Sequence, residues 1–253
     1  MNTLVCYKIV YEEQDITVKP DNTLSFDRAE LKLSLYDLNA IEEAVCLAEM
    51  TSGKATALSV GDKKIENSKL KKGALSRGPA ELFLVQDDKL ENPDTFQTAN
   101  TIAAAVKKID YDIIICGEGS SDSYAQQTGI QLGHLLSIPV INSVSKITPL
   151  DGKIHVERTL ESVIEVLEID LPAVICVTSD INKTRIPNMK DILAAGKKPV
   201  TTWTLEDLNM VLPENTVETV STLAPEQKER KMMIFEGGDK VAELFENISK
   251  ELV

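Results

Sequence analysis

Short apolar runs alternate with longer amphipathic segments over roughly the first 200 residues, and this alternation constrains the fold more than any other feature of the sequence. It is typical of βαβ units, in which helices connect parallel strands. Tyr111–Cys116 is almost continuously apolar, as expected of a central strand that helices cover on both faces. The sequence therefore predicts an α/β fold with a doubly wound, mostly parallel sheet.

The predicted elements are bounded by the apolar runs and the turn residues between them. Asp37 is expected to cap the first long helix. Three segments around the turn at Asp151-Gly152 alternate apolar and polar residues, which predicts an antiparallel insert. The parallel strands are expected at Leu4–Val10, Thr56–Val60, Leu82–Val85, Tyr111–Cys116 and Leu171–Val177, the insert at Val144–Ile147, Lys153–Thr159 and Val163–Ile169, and further helices at Asp94–Lys108 and Tyr124–Leu136.

From Thr204 onward the sequence is less hydrophobic and richer in acidic residues. We therefore predict an α/β domain at residues 1–203 and a C-terminal arm at residues 204–253. The arm either packs on a partner subunit or is an acidic linker that ends in a docked helix at about Asp239–Leu252. The side chains that this last helix is expected to bury are Val241, Leu244, Phe245 and Ile248.

Composition excludes several classes of partner and site. The formal net charge of −13 repels nucleic acid. No apolar stretch is long enough for membrane insertion, and the N-terminus lacks the basic region of a secretory signal. The four cysteines form no CxxC pair, as in proteins of a reducing cytoplasm, and the two histidines have no neighbouring metal ligands. We therefore predict a cytoplasmic protein without a metal site.

One basic island interrupts this acidic background. Residues 181–200 contain five basic side chains and a single acid, Asp191. The island is either a solvated patch or a site for an anionic ligand or an acidic partner. The basic residues are Lys183, Arg185, Lys190, Lys197 and Lys198.

The polar loop after Tyr111–Cys116 is the most informative candidate site, because ligands of doubly wound sheets bind beyond the carboxyl ends of the strands. Its glycines allow a tight turn with exposed main-chain amides, its serines add hydroxyls, and the start of the next helix favours an anion. Asp122 is expected to accept from a ribose or from amides at that helix start. The loop glycines and serines are Gly117, Gly119, Ser120, Ser121 and Ser123.

A second explanation of this loop needs no ligand. Ala125, Gly129 and Gly133 recur every four residues and leave one helix face nearly bare, so either the sheet or a ligand can approach closely. The loop is neither a Walker A motif nor a GxGxxG fingerprint. No set of nucleophile, base and orienting residue is evident, which favours a protein that holds a cofactor and leaves the chemistry to it.

The chain resembles the electron-transfer flavoprotein beta subunits over essentially its whole length. The resemblance is carried by Val5-Cys6-Tyr7-Lys8, DLNAIEEA at Asp37–Ala44, GEGSSDSYAQQTG at Gly117–Gly129, and Leu171–Val200. Tyr11–Asp15 and Arg77-Gly78-Pro79 are similar to the Fix branch, which is associated with anaerobic carnitine or acyl-CoA reduction. The resemblance implies a nucleotide- or flavin-binding domain at residues 1–203 with a sheet of the adenine-nucleotide-binding type.

The resemblance also implies cofactors and partners. The chain would form a heterodimer with an alpha subunit that carries the electron-transferring FAD, and would itself hold AMP in a simple carrier or a second FAD in a bifurcating one. Electrons, in the bifurcating case from NADH, would pass to an acyl-CoA dehydrogenase- or reductase-type flavoprotein such as a carnitinyl-CoA reductase. A ferredoxin or a quinone-linked acceptor is a further candidate partner.

Position by position, the resemblance places the nucleotide contacts on four segments. Adenine and ribose would meet main chain near Cys6 and Val60, and the phosphates would meet the loop. The implied cofactor-binding residues are Cys6, Ser34, Tyr36, Asp37, Val60, Gly117, Gly119, Ser120, Ser121, Asp122, Ser123, Tyr124, Ala125, Gln126, Gln127 and Thr128.

One departure from the family bears on partners. The segment Asp180–Pro187 is shorter than in the housekeeping beta subunits, where a longer loop anchors many dehydrogenases, so a dedicated partner is expected. Arg185 would lie near the flavin ring or its phosphates, or on a solvated surface. A different class, a universal-stress-type regulatory module that binds a nucleotide without redox chemistry, is the alternative, although such modules use a GxxxxG phosphate loop that is missing here.

Overall fold

A nine-stranded sheet is the centre of the larger of two compact units in the computed structural model, which describes residues 1–226 and 232–251. This unit comprises Met1–Thr17 and Ser25–Ser221. In chain order the strands of the large sheet are β1 (Thr3–Cys6), β6 (Ala55–Gly61), β7 (Glu81–Gln86), β8 (Ile113–Gly117), β9 (Val140–Pro149), β10 (Lys153–Thr159), β11 (Ile164–Asp170), β12 (Ala173–Val177) and β13 (Val200–Trp203).

Four short strands lie outside this sheet, and the described residues also form six α-helices. Strands β2 (Ile9–Tyr11) and β5 (Leu31–Leu33) pair with each other, as do β3 (Thr17–Val18) and β4 (Leu24–Ser25). The helices are α1 (Leu35–Met50), α2 (Ser68–Leu75), α3 (Thr95–Val106), α4 (Thr128–Leu136), α5 (Met189–Ala195) and α6 (Val241–Glu251).

The order of the strands is β11-β10-β9-β12-β8-β1-β6-β7-β13. From β9 to β13 across the sheet all neighbours are parallel, whereas β10 pairs antiparallel with both β9 and β11. The chain proceeds from β1 to β6 and β7 on one side and then returns to β8 on the other. The doubly wound parallel sheet with an antiparallel insert is thereby confirmed, and its topological switch point lies between β1 and β8.

Alternate residues of the central strands enter two apolar cores, one on each face of the sheet. Val5 of β1 packs in the core that includes Ile41 of α1, whereas Leu4 packs in the core that includes Ile102 of α3. The side chains Ile113, Ile114 and Ile115 of β8 are fully buried. Burial on both faces explains why the central strands are continuously apolar in sequence.

The first strand is shorter than predicted because the chain leaves the sheet at Lys8. Tyr7 N–H still donates to Leu58 O (3.0 Å), but Lys8 N–H donates to the Asp37 carboxylate (2.8 Å) and Lys8 O accepts from Ser34 N–H (3.0 Å). The predicted strand Leu4–Val10 is therefore divided into β1 and β2. The single apolar run gave no sign of this break.

Two predicted helix starts are wrong. Ser34, and not Asp37, is the N-cap of α1, so Asp37 lies in the first turn of the helix. Helix α4 begins at Thr128 and not at Tyr124, because Tyr124 (φ 43°) and Gln126 (φ 55°) have left-handed backbone that a right-handed helix excludes. The sequence also did not reveal α5, with its Asn188–Asp191 capping box, or the edge strand β13.

The second compact unit comprises the described parts of Val18–Leu24 and Thr222–Val253. Its helix α6 confirms a terminal helix. Val241, Leu244, Phe245 and Ile248 are all exposed among the described residues of this single chain, Phe245 by 72%, so their predicted burial would have to come from a partner and stays a prediction. The expectation that residues 204–253 pack on a partner subunit stays a prediction, as does the boundary after residue 203.

None of the helices in the described ranges combines the length and hydropathy needed to cross a bilayer.

Candidate functional site

The carboxyl ends of β1 and β8 form the candidate site together with the first turn of α1. At a switch point the connections leave neighbouring strands in opposite directions, and the space between them is open to a ligand. The chain segments at this edge are Cys6–Lys8, Ser34–Asp37 and the loop 117–127. The fourth predicted segment, at Val60, lies near the carboxyl end of β6, the next strand along.

Asp37 joins the three segments. Its carboxylate accepts the main-chain N–H groups of Lys8 (2.8 Å) and Gly117. Burial raises the pKa of Asp37 from its usual 3.8 to about 7, although both amides and the nearby Lys8 ammonium act to lower it. A Cβ at Gly117 would lie 2.6 Å from Asp37 Oδ1, so a glycine is required where β8 passes this carboxyl group.

Asp122 is the centre of the loop. Its carboxylate forms an ion pair with Lys8 Nζ (2.6 Å), accepts Ser123 N–H (2.7 Å) and accepts the hydroxyl of Ser120. Burial raises the pKa of Asp122, but Lys8 and these donors outweigh it, and the net effect lowers the pKa. Asp122 is therefore ionised at neutral pH and holds the loop against the end of β1.

Two aromatic side chains cover the other side of the loop. The rings of Tyr36 and Tyr124 lie 5.3 Å apart at 45°, and Tyr124 OH donates to Glu118 Oε1 (3.0 Å). Burial and Glu118 raise the pKa of Tyr124 to about 12, so the phenol stays protonated. A Cβ at Gly119 would lie 2.3 Å from the Tyr124 ring, which explains the second glycine of the loop.

The loop contains a buried polar atom that a ligand could satisfy. Ser121 Oγ is buried and has no hydrogen-bond partner among the described residues. A buried hydroxyl without a partner is unfavourable unless a ligand or water supplies one. The Lys8 ammonium offsets the Asp122 carboxylate, so that acid does not exclude a phosphate.

The remaining predicted site residues lie at the margin of this site, and they differ in exposure and in the contacts that they make. Gln127 Oε1 accepts from Thr95 Oγ1 (3.0 Å), which connects the end of the loop to α3. Ala125 and Gln126 are exposed, and Thr128 is the first residue of α4. The Cys6 side chain is buried in the core on the α3 side, so only its main chain faces the site edge.

The bare face of α4 packs on the sheet. A Cβ at Gly129 would lie 2.3 Å from Cys176 Sγ, and one at Gly133 would lie 2.6 Å from Val140 Cβ. The glycines of this helix are therefore explained by close approach to β12 and β9, and not by a ligand. The phosphate-binding interpretation consequently depends on residues 117–127 alone.

Three of the four cysteines lie side by side beneath the site. Cys116 is the register partner of Cys176 on β12 and also neighbours Cys6 on β1, with which it shares a hydrogen bond. The Cys6 bond and burial raise the pKa of the Cys116 thiol, and burial raises that of Cys176. All are free thiols. The three cysteines are far apart in the sequence, so the spacing between them gave no indication that they lie on adjacent strands.

Lys8 is the residue at this edge that the sequence analysis did not place in the site. In the sequence it belongs to the tetrapeptide Val5-Cys6-Tyr7-Lys8, which carries part of the family resemblance. The available signal was a lone basic residue within the apolar run Leu4–Val10. Arg185 forms ion pairs with Glu42 (Nε–Oε2, 2.9 Å) and Glu49 (Nη1–Oε1, 3.0 Å) of α1 and is 32% exposed, so it is not simply a solvated side chain, and its position relative to a flavin stays a prediction.

These features agree with a comparison against protein families, in which the model described as an electron transfer flavoprotein domain matches residues 22–208. The chain belongs to the electron transfer flavoprotein family. The matched range contains α1 and the loop 117–127, so the electron transfer flavoprotein domain includes most of the candidate site. Membership associates the chain with electron transport and with a flavin. In the described ranges, no group of three or more His, Cys, Asp or Glu side chains could hold a metal ion.

Proposed function

We propose that this chain is the beta subunit of an electron-transfer flavoprotein and that it holds an adenine nucleotide at the switch point between β1 and β8. One observation carries the proposal: Lys8, Asp37 and Asp122 fasten a serine-rich loop across this crevice, and Ser121 Oγ in that loop is buried without a partner. Membership of the electron transfer flavoprotein family supports a role of this nucleotide site in electron transfer.

The part of the ligand that the site recognises is common to AMP and FAD. Both contain an adenosine whose ribose bears a phosphate. The hydroxyls of Ser121 and Ser123 and the ammonium of Lys8 would hold the phosphate, and main chain near Cys6 and Val60 would meet the adenosine. The flavin, when bound to the heterodimer, supplies the electron-transfer chemistry.

The side chains at the site suit holding a ligand. Asp37, whose pKa is about 7, is buried and accepts main-chain amides, and the Tyr124 phenol has a pKa of about 12, far from neutral. Of the two histidines, His134 lies in α4 and His155 in the antiparallel insert. The chain would therefore position a cofactor that supplies the chemistry.

The proposed partner is an alpha subunit that carries the electron-transferring FAD. Electrons would pass through that FAD to an acyl-CoA or carnitinyl-CoA reductase. In the bifurcating form, a second FAD bound to this chain would accept the electrons from NADH, and a ferredoxin or a quinone-linked protein would be the second electron acceptor. The exposed apolar face of α6 supports a subunit contact for the arm at residues 204–253, since such a face favours burial against a partner.

The test is to purify the chain with its candidate alpha subunit, release the bound nucleotides and count them. Two flavins per heterodimer support a second FAD in this chain, and one flavin with one AMP supports a simple carrier. A heterodimer that contains neither AMP nor a second FAD contradicts the proposed nucleotide site. A colourless protein that retains only ATP or AMP supports the regulatory-module alternative.

A further inference from the structure

Lys8 is held at three points, and this sets it apart from other surface lysines. Its N–H donates to Asp37 Oδ2 (2.8 Å) and its C=O accepts from Ser34 N–H (3.0 Å), so its backbone is fixed to the first turn of α1. Its ammonium, half exposed, reaches Asp122 Oδ2 at 2.6 Å. A flexible lysine is thereby anchored at its base and directed to the loop after β8.

The charges around the loop require a cation. Glu118, Asp122 and the nearby Asp37 are all acidic, and the chain as a whole has a net charge of −13. Among the described residues, Lys8 is the only basic side chain that forms an ion pair with residues 117–127. Without Lys8, a phosphate brought to the loop would meet an uncompensated Asp122 carboxylate, and the repulsion would oppose binding.

Folding stability gives little reason for this ion pair. The side chains of Lys8 and Asp122 are 49% and 43% exposed, and pairs so open to solvent contribute little to stability. The ion pair nevertheless links Lys8 to the loop serines, since the hydroxyl of Ser120 and the N–H of Ser123 both donate to the other oxygen of the Asp122 carboxylate.

We propose that Lys8 is the positioning residue of the nucleotide site: through Asp122 its ammonium arranges the 117–127 loop, and it offsets the carboxylate charge that would otherwise repel the phosphate that the loop receives. This inference rests on the proposed nucleotide site and extends it to a residue outside the loop. It predicts that Lys8 acts on the phosphate of the ligand and not on its adenosine.

The test compares the affinities of AMP and adenosine for the heterodimer of the full-length chain and its alpha subunit. The nucleotide bound to this chain is removed before the measurement. The variants are Lys8→Met, Lys8→Arg and the control Lys54→Met. Lys54 forms an ion pair of the same length with Glu81 (2.6 Å) and is 50% exposed, but it lies at the opposite end of the sheet, before β6. Titration calorimetry measures both ligands.

Lys8→Met is expected to weaken AMP binding by about 10- to 100-fold, the usual range for one charge-assisted hydrogen bond, and to leave adenosine binding within about 2-fold. Lys8→Arg should restore most of the AMP affinity, and Lys54→Met should change neither ligand. Equal losses for AMP and adenosine would indicate a general structural role and overturn the inference, as would wild-type AMP affinity in Lys8→Met. If the wild-type chain binds neither AMP nor FAD, the proposed nucleotide site itself fails.

Discussion

Gly129→Ala tests whether α4 is glycine-rich because of the sheet or because of a ligand. The added methyl carbon would lie 2.3 Å from Cys176 Sγ, with Cys116 Cβ and Sγ at 3.7 and 3.9 Å. Ordinary contact requires a separation larger by about 1 Å, and interiors packed at crystal-like density do not yield that much without cost. The helix or strand β12 must therefore move.

The size of the effect follows from two opposing contributions. Overpacking a well-filled core costs about 1–3 kcal/mol. Alanine in place of a helical glycine returns about 1 kcal/mol of helix propensity. We expect a net loss of about 0–2 kcal/mol in the free energy of unfolding. Gly73→Ala in α2 is the matched control, because its nearest contact, Leu33 Cδ1, would be 3.6 Å away. That variant should gain about 0.5–1 kcal/mol.

The assay is equilibrium urea unfolding, followed through the fluorescence of Trp203, the single tryptophan, which stacks on Phe83 in the edge strands. Cys176→Ala removes the sulfur that the new methyl group meets, so the double variant Gly129→Ala/Cys176→Ala should recover most of the loss. We expect the two substitutions to couple by about 1–2 kcal/mol. If Gly129→Ala is stabilised as much as Gly73→Ala, the packing explanation is refuted.

Three further predictions address groups around the site. Burial raises the pKa of Asp37 to about 7, so ionising Asp37 in the folded chain costs free energy. We therefore expect the free energy of unfolding to fall as pH rises from about 4 to 7. Urea unfolding at each pH measures this, and the Asp37→Asn variant should lose the dependence. Arg185→Met should lower the free energy of unfolding by about 1–2 kcal/mol, because it leaves the Glu42 carboxylate unpaired. If Arg185→Met costs as much in a Glu42→Gln background, the Arg185–Glu42 pair is not responsible for the loss. Burial and Glu42 raise the pKa of the Cys46 thiol to about 11, so Cys46 should react slowly with a thiol reagent at pH 8. Unfolding should make all four thiols reactive. Rapid modification of Cys46 in the native chain would contradict its burial.

The fold was predictable because it depends on periodicity. The apolar runs at β8 and β12 and the alternation in β10 are local features, so element types and the antiparallel insert could be inferred without knowledge of tertiary contacts. The element boundaries that failed depend on contacts across the chain. The break after β1 exists because Asp37, 29 residues away, accepts the Lys8 amide that would otherwise continue the strand.

The start of α4 failed for a related reason. The sequence from Tyr124 has good helix formers, yet Tyr124 and Gln126 adopt left-handed backbone while the Tyr124 ring packs on Tyr36 and its hydroxyl binds Glu118. Tertiary contacts here outweigh local propensity, as is common near functional sites. The α6 side chains show the converse: an amphipathic pattern identifies a helix, but it does not say whether the same chain covers its apolar face.

The acidity of the chain and its proposed anionic ligand are compatible because the site distributes its charges unevenly. Net charge acts over a Debye length of about 8 Å at physiological salt, whereas the loop is governed by contacts below 3 Å. There Asp37 is surrounded by amides and Asp122 is paired with Lys8, so the acids nearest the proposed phosphate are already compensated. Bulk charge therefore argues against extended polyanions such as nucleic acid, which meet the whole surface, and not against a single nucleotide held within one crevice.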